Sequence, residues 1–173
     1  MPSRIKGAAL SCILSDTLGF RSPTTTDLDR STAQKLAEDL KIDVQYFASE
    51  LFKAKSDVSK YTDPELILMD SKKYDVGGKK LRISVMETTQ PQEILGRKKS
   101  LLKAMKDIEA EEGVDQILFF VIDILKQEAI LFVPNKLVKE IAEKSFGTSC
   151  VEDTTILPGI LSRKKQIIPQ LKV

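Results

Sequence analysis

The sequence predicts a mixed α/β fold, in which α-helices cover a β-sheet, within a single domain over residues 1–173. Three observations predict this class. Apolar residues recur at helical spacing over the first part of the chain, an alternating segment is divided by two glycines, and two continuously apolar runs follow. The sequence has no internal repeat, low-complexity tract or long flexible linker, so a division into separate domains is not expected.

Four helices are predicted before the first strand. The first ends near Asp16 and carries apolar residues on nearly every side, so we expect it to be deeply buried. Thr26, with an acidic residue three positions later, predicts the start of the second helix. Asp43 is a typical N-cap for the third helix, and Asp63, which a proline follows, is a typical N-cap for the fourth.

The middle of the sequence predicts a β-hairpin and one long helix. Alternation from Lys73 to Val85, with Gly77 and Gly78 at the turn, is typical of two antiparallel strands. From Pro91 to Glu112 the apolar spacing is helical, and a glycine follows. This pattern predicts a single long helix that ends at a glycine cap.

Two buried strands and a last helix complete the predicted fold. Ile117–Ile122 is continuously apolar and rich in β-branched and aromatic residues, and Ala129–Val133 repeats that character. We expect both to be central strands. The helical spacing around Ile141 stops at Gly147, and short strands and loops are expected from there to the C-terminus.

The overall composition excludes several classes of protein. Because 27 basic residues face 25 acidic ones, the net charge of +2 is too balanced for a general nucleic-acid binder. No apolar run approaches the roughly 18 to 20 residues that a membrane helix needs, and no secretory signal is recognisable. We therefore expect a cytoplasmic protein that binds neither nucleic acid nor a membrane.

The sequence contains no histidine and only two cysteines. Histidine is the commonest transition-metal ligand and the commonest general base near neutral pH, so we expect this chain to hold no metal and no catalytic residue of its own. Cys12 lies on an apolar helical face, which favours a buried free thiol over a disulfide. Glu109, Glu111 and Glu112 are expected to form a solvated acidic helix end. Asp16 and Asp123 are expected either to be structural or to support neighbouring functional residues.

A cluster of cations near the C-terminus is the first candidate site. Arg163, Lys164 and Lys165 follow one another within Ser162–Gln166, and an apolar flank comes directly after them. If the segment is extended, Arg163 and Lys165 share one side, whereas a bulge or loop would bring Arg163 and Lys164 to one ligand. The alternative is an ordinary solvated basic run near a chain terminus.

A second candidate is Arg21, in a loop with a glycine, a proline and a run of hydroxyl residues. An arginine beside such a rigid loop could grip a phosphate through two of its oxygens. The alternative is an ordinary surface arginine.

Two blocks of the sequence carry a family resemblance. They are the residues from Ala9 to Thr24 and, near the C-terminus, Leu157-Pro158-Gly159 with Ser162–Gln166. The first resembles the start, and the second the end, of the second DHH-associated domain of the manganese-dependent (family II) inorganic pyrophosphatases. Asp123-Ile124-Leu125, after an apolar run, also fits the family pattern. The resemblance therefore spans the chain, from its first helix to its last cations.

The resemblance implies a role for the cations. In that family the C-terminal domain closes over an N-terminal DHH domain that holds manganese, magnesium or cobalt. The cations of the C-terminal domain clamp the phosphoryl groups of pyrophosphate, and this role falls on Arg163, Lys164 and Arg21. The family usually has lysine in place of Arg21 and a larger apolar residue in place of Gly19. Arginine preserves the charge but needs more room.

We therefore expect a pyrophosphate-binding domain with little or no activity alone, which needs a DHH domain in cis or in trans. Three other interpretations are open from the sequence: a stand-alone phosphate-binding module, a regulatory module without catalysis, and a part of a DHH-type exopolyphosphatase. Whether the chain is a fragment or a natural stand-alone protein, and whether it forms a homo-oligomer, is also open.

Overall fold

A computed structural model describes residues 1–150 and 152–173. The described residues form α-helices and a five-stranded mixed sheet, which confirms the predicted α/β class. Backbone contacts divide the chain into two compact units, Met1–Asp57 and Val58–Val173, and each is described by itself. The assignment of both units to one domain remains a prediction.

The first unit contains three helices. They are α1 (Ser3–Asp16), α2 (Asp27–Leu40) and α3 (Val44–Lys55). The predicted caps are confirmed: Thr26 forms a reciprocal capping box at the start of α2, and the Asp43 side chain accepts a hydrogen bond at the start of α3. Both caps satisfy backbone amides that a helix end leaves without an internal partner.

The expected deep burial of α1 is wrong. Leu10 and Leu14 are buried, but Ile5 is 54% exposed and Cys12 is also exposed. Within its unit α1 contacts α2 and α3, and these two neighbours leave one side of the helix to solvent. The apolar pattern shows that a helix could be buried on every side, whereas the number of neighbouring elements decides how much of it is. The prediction of a buried Cys12 thiol is wrong for the same reason.

The second unit is built on one five-stranded sheet. In spatial order the strands are β1 (Ser71–Val76), β2 (Lys79–Thr88), β3 (Gln116–Asp123), β4 (Glu128–Phe132) and β5 (Thr154–Pro158). The β2 and β3 strands are parallel, and every other neighbouring pair is antiparallel. A parallel pair needs a long crossover, and the helices between β2 and β3 supply it. The predicted hairpin and the two buried strands are confirmed.

Five helices accompany this sheet in the described part of the second unit. They are α4 (Asp63–Met69), α5 (Pro91–Gly96), α6 (Lys98–Glu112), α7 (Lys136–Phe146) and α8 (Ile168–Gln170). The N-cap of α4 lies one residue earlier than predicted: it is Thr62 and not Asp63. The glycines predicted to end α6 and α7 are confirmed, and both have a left-handed backbone.

The single long helix predicted from Pro91 to Glu112 is wrong, because Arg97 separates α5 from α6. Its guanidinium donates to Asp63 Oδ1 at 2.8 Å and to Tyr61 O at 2.8 Å. Gly96 precedes it, and glycine is a weak helix former. The backbone turns at this point while the apolar spacing continues, so the break is not visible in the pattern.

Helices pack against both faces of the sheet. On one face, Phe119 stacks on Phe132 with ring centroids 5.4 Å apart, in a cluster that includes apolar residues of α4, α5 and α6. On the other face, Phe120 makes an edge contact with Phe146 of α7 at 6.1 Å. The β3 strand is buried along its whole length, which explains its continuously apolar sequence. Among the described helices, none is both long and apolar enough to cross a membrane.

Candidate functional site

The cationic segment after β5 is a tight turn and not an extended strand. Arg163–Ile167 forms one π-helical turn, and the Ser162 side chain caps it by accepting a hydrogen bond from the Lys165 amide at 3.3 Å. Gln166 closes the turn from the other side: its Oε1 accepts from the Leu161 amide at 2.8 Å, and its Nε2 donates to a backbone carbonyl. Of the two backbone conformations that the sequence left open, the segment adopts the turn and not the extended strand. Turns of this kind are rare in proteins, and those that occur are often found at functional sites.

Arg163 is fixed by contacts with residues far away in the sequence. Its Nη1 donates to Asp70 O at 2.9 Å and, at a longer 3.5 Å, to Ile83 O, while its Nη2 donates to Asp70 Oδ1 at 2.7 Å. The side chain is only 14% exposed. Sequence reasoning missed Asp70, because it lies far from the turn along the chain and belongs to no motif.

Lys164 differs from its neighbour in every one of these respects. It is exposed, and nowhere in residues 1–150 or 152–173 does its side chain find a hydrogen-bond or ion-pair partner. An ammonium group on a flexible stem is a compact charge that can reach a ligand without breaking an existing contact. The turn therefore places one fixed guanidinium beside one unengaged ammonium.

Arg21 lies in an unusual loop of the first unit. Leu18, Gly19 and Phe20 have φ values of 51°, 61° and 71°, so three successive residues are left-handed. The loop is held by local bonds: Gly19 N donates to Leu14 O at 2.8 Å, and Arg30 Nη2 donates to Phe20 O at 3.1 Å. A left-handed conformation costs a residue other than glycine about 1 kcal/mol or more, so these contacts offset backbone strain.

Gly19 and Arg21, the two positions where the resemblance implies a departure from the family pattern, lie close together in this loop. The Arg21 guanidinium folds back towards its own loop and donates from Nη1 to Leu18 O at 3.3 Å. A Cβ on Gly19 would lie 2.9 Å from that Nη1 atom and 3.2 Å from the Phe52 ring. The missing side chain at Gly19 therefore provides the room that the larger arginine needs.

Substitution of Gly19 by alanine is expected to lower the free energy of unfolding by about 1 to 2 kcal/mol. Part of this cost is left-handed strain, and part is the displacement of Arg21. Gly113 is the matched control, because its φ is 62° but a Cβ there would meet nothing within 4 Å. Denaturant unfolding should show Gly19→Ala to be costlier than Gly113→Ala, and an added Arg21→Lys change should remove the excess. Equal costs would contradict the assigned contact.

The acidic end of α6 is not the solvated cluster predicted. Glu109 Oε1 accepts from the Ile117 amide at 2.7 Å, and burial raises the pKa of this carboxyl. Glu112 pairs with Arg82 and, at 3.1 Å, with Lys73. The hydrogen bond from Arg82 is the main cause that lowers the pKa of the Glu112 carboxyl. These two carboxylates fasten α6 to the sheet. Only Glu111, which is exposed, fits the prediction.

The remaining donors do not assemble a metal site. In the part of the chain that the structure describes, no group of three or more His, Cys, Asp or Glu residues could hold a metal ion. Asp123 makes a structural contact, which fits the first of the two roles left open for it: its Oδ1 accepts from the Leu125 and Lys126 amides at 3.0 Å each and so closes the turn after β3. The donors that the described residues offer therefore do not fit a manganese centre.

The chain is similar in sequence to known proteins. Residues 49–173 match the DHHA2 domain family. The chain is 40% identical over 169 residues to a manganese-dependent inorganic pyrophosphatase of Methanocaldococcus jannaschii, a match that covers 97% of this chain and 54% of the relative. It is 36% identical over 168 residues to the enzyme of the same name from Bacillus subtilis, with coverages of 96% and 54%.

A solved structure gives the same result for the fold. A crystal structure from Methanococcus jannaschii, assigned to the family II inorganic pyrophosphatases, superimposes with a TM-score of 0.85 at 38% sequence identity, over 98% of this chain and 55% of that one. The chain thus spans about half the length of the relatives that it matches, and the matched half is their C-terminal part. The chain belongs to the DHHA2 domain family, the DHH-associated domain of the manganese-dependent inorganic pyrophosphatases.

Proposed function

We propose that this chain is the substrate-binding half of a manganese-dependent inorganic pyrophosphatase and clamps pyrophosphate with Arg163, Lys164 and Arg21. The observation that carries the proposal is the turn at Arg163–Ile167, where a fixed guanidinium stands beside an exposed ammonium with no partner in the described chain. The two relatives named above are both manganese-dependent inorganic pyrophosphatases, and this supports pyrophosphate as the ligand.

The chemistry of these cations suits pyrophosphate. Negative charge lies on the non-bridging oxygens and must be neutralised as the phosphoryl group is transferred, so fixed cations stabilise the transition state. Arg163 can bind two oxygens at once, and Lys164 adds a mobile point charge. Arg21, in the first unit, supplies a third cation in this proposal. Among the described residues its guanidinium makes one long hydrogen bond, at 3.3 Å, which a stronger anionic acceptor could replace.

In this proposal the activation of water belongs to a metal-bearing N-terminal DHH domain, supplied in cis or in trans. That domain would correspond to the part of the relatives that this chain does not match. In this division of roles, the present chain contributes binding and charge neutralisation. A cytoplasmic location, and any assembly into homo-oligomers, remain predictions.

Reconstitution tests the proposal directly. The chain is mixed with the separately produced N-terminal half of the Methanocaldococcus jannaschii relative, Mn²⁺ and pyrophosphate, and released phosphate is measured. We expect release from the mixture and little or none from either half alone. Full activity of this chain by itself would overturn the division of roles.

The same assay separates the alternatives. A mixture that cleaves long polyphosphate in preference to pyrophosphate would favour a DHH-type exopolyphosphatase. If no mixture hydrolyses anything, but the chain alone binds pyrophosphate through Lys164, a stand-alone phosphate-binding or regulatory module would be favoured. Each outcome assigns a different role to the same cations.

A further inference from the structure

The hydrogen bonds of Arg163 use one edge of its guanidinium and leave another edge unused. A guanidinium has five N–H groups in a fixed plane. The terminal edge, formed by Nη1 and Nη2, meets Asp70 twice: at its carbonyl, 2.9 Å away, and at its carboxylate, 2.7 Å away. The remaining Nη1 hydrogen points towards Ile83 O at 3.5 Å.

The lateral edge, formed by Nε and the second Nη2 hydrogen, is not used in these hydrogen bonds. Within the described ranges, no residue accepts a hydrogen bond from Nε. This edge presents two parallel N–H groups, the arrangement that matches two oxygens of a phosphoryl group. Asp70 therefore occupies the edge that an anion does not need.

Asp70 is itself held firmly at its backbone. It is the C-cap of α4, whose Leu66 and Ile67 are fully buried, and its carbonyl also accepts a hydrogen bond from the Val85 amide of β2 at 2.9 Å. Its side chain, in contrast, is 56% exposed. A rigid backbone thus carries a carboxylate at the margin of the solvent, where it can reach Arg163 without being enclosed.

We propose that Asp70 is the positioning residue of the anion site, which holds Arg163 by its terminal edge and so presents the lateral edge to a phosphoryl group. The inference rests on the proposed function, because it takes pyrophosphate as the ligand of Arg163. A free arginine side chain loses considerable rotamer freedom when it binds, and an arginine that is already fixed loses less.

Asp70 has two opposing effects on anion binding, and they can be separated. Its negative charge repels the anion, although solvent screens an exposed carboxylate. Its hydrogen bonds orient the guanidinium. Asp70→Asn removes the charge but keeps an Oδ1 acceptor, whereas Asp70→Ala removes both. A positioning role predicts weaker binding for Asp70→Ala but not for Asp70→Asn, and a purely electrostatic role predicts that both variants bind the anion more tightly.

The test follows the Arg163 Nε–H resonance of the whole chain by NMR during a titration with pyrophosphate, a method that tolerates weak binding. In the native chain the resonance should shift and saturate. Asp70→Ala should weaken binding about three- to tenfold, and Asp70→Asn should bind as well as the native chain or better. Thermal unfolding of each variant checks that the fold is retained.

Two controls separate the failure of this inference from failure of the proposed function. Asp75→Ala removes another exposed carboxylate of the same unit, one without a side-chain partner in the described chain, and should leave binding unchanged. In Arg163→Ala, binding is followed through backbone amide shifts and should weaken strongly. If Arg163→Ala has no effect, or the native chain binds no pyrophosphate, the proposed function is overturned and the inference with it. If Arg163→Ala weakens binding but Asp70→Ala does not, only the positioning role is overturned.

Discussion

Replacement of Lys164 by alanine is expected to reduce pyrophosphate hydrolysis by the reconstituted enzyme about 10²- to 10³-fold, the usual loss when one preorganised charge-stabilising group is removed. Its side chain is exposed and forms no hydrogen bond or ion pair with a described residue, so the thermal unfolding temperature should stay unchanged. The measurement is kcat and KM for pyrophosphate with Mn²⁺, together with thermal unfolding of the variant alone.

The controls for Lys164 isolate its position from its charge. Lys72→Ala removes an exposed lysine of β1 in the same unit and should leave turnover unchanged. Lys164→Arg keeps the charge on a planar, bulkier group and should retain part of the activity. If the enzyme reconstituted with the Lys164→Ala variant hydrolyses pyrophosphate as fast as the enzyme reconstituted with the native chain, Lys164 does not contact the reacting phosphoryl groups. The clamp must then be assigned to other residues.

Arg163 is a less clean probe than Lys164, although both are assigned to the clamp. Its guanidinium bonds to Asp70 and Ile83, so Arg163→Ala also removes contacts between the turn and the sheet. A loss of activity in that variant therefore combines binding with stability. In the sequence the two residues are simply adjacent cations, whereas their contacts in the structure make Lys164 the better residue to substitute.

Features of the fold that depend on local chemistry were predictable from the sequence. The turn at Gly77 and the end of α6 at Gly113 require left-handed backbones, and glycine adopts them at little cost. The break at Arg97 was not predictable, because it depends on contacts with Asp63 and Tyr61, some 34 and 36 residues away along the chain. The apolar spacing continues across the break, so periodicity alone indicates one helix.

The candidate site divides in the same way. The identity of its cations followed from a resemblance in sequence, and the resemblance also identified Arg21 and Gly19 as departures. Their contact, and the position of Asp70 beside Arg163, are long-range or conformational facts. The sequence left open whether Arg163–Ile167 is extended or a turn, because the contacts of Ser162 and Gln166 that close the turn are not visible in a pattern of residue types.

The predicted solvated acidic end of α6 is also wrong at Glu112, because this side chain lies against a nearly buried arginine. Arg82 is 8% exposed and donates from Nε to Glu112 Oε2 at 2.9 Å. Breaking a fully buried ion pair costs about 3 to 5 kcal/mol, because one charge is left without its partner. The Glu112 side chain is 24% exposed, and Arg82 keeps a bond to the Ser71 hydroxyl, so the cost here should be smaller.

Glu112→Gln is therefore expected to lower the free energy of unfolding by about 2 kcal/mol at pH 7, as measured by denaturant unfolding. The difference from the native chain should depend on pH. The Arg82 guanidinium, which donates a hydrogen bond to Glu112, holds the pKa of this carboxyl below its ordinary value in the folded chain. The stabilisation is thus fully present above the ordinary pKa of about 4.3 and is lost as the pH falls through the lowered folded value.

Glu111→Gln is the matched control, since Glu111 is the adjacent residue of the same helix, is exposed, and has no side-chain partner in the described chain. It should change stability by less than about 0.5 kcal/mol at any pH. Protonation makes the native Glu112 side chain neutral, like glutamine, so the native and Glu112→Gln curves should converge in acid. A constant difference between pH 7 and pH 3 would show that shape or packing, and not the charge on Glu112, stabilises the end of α6 against the sheet.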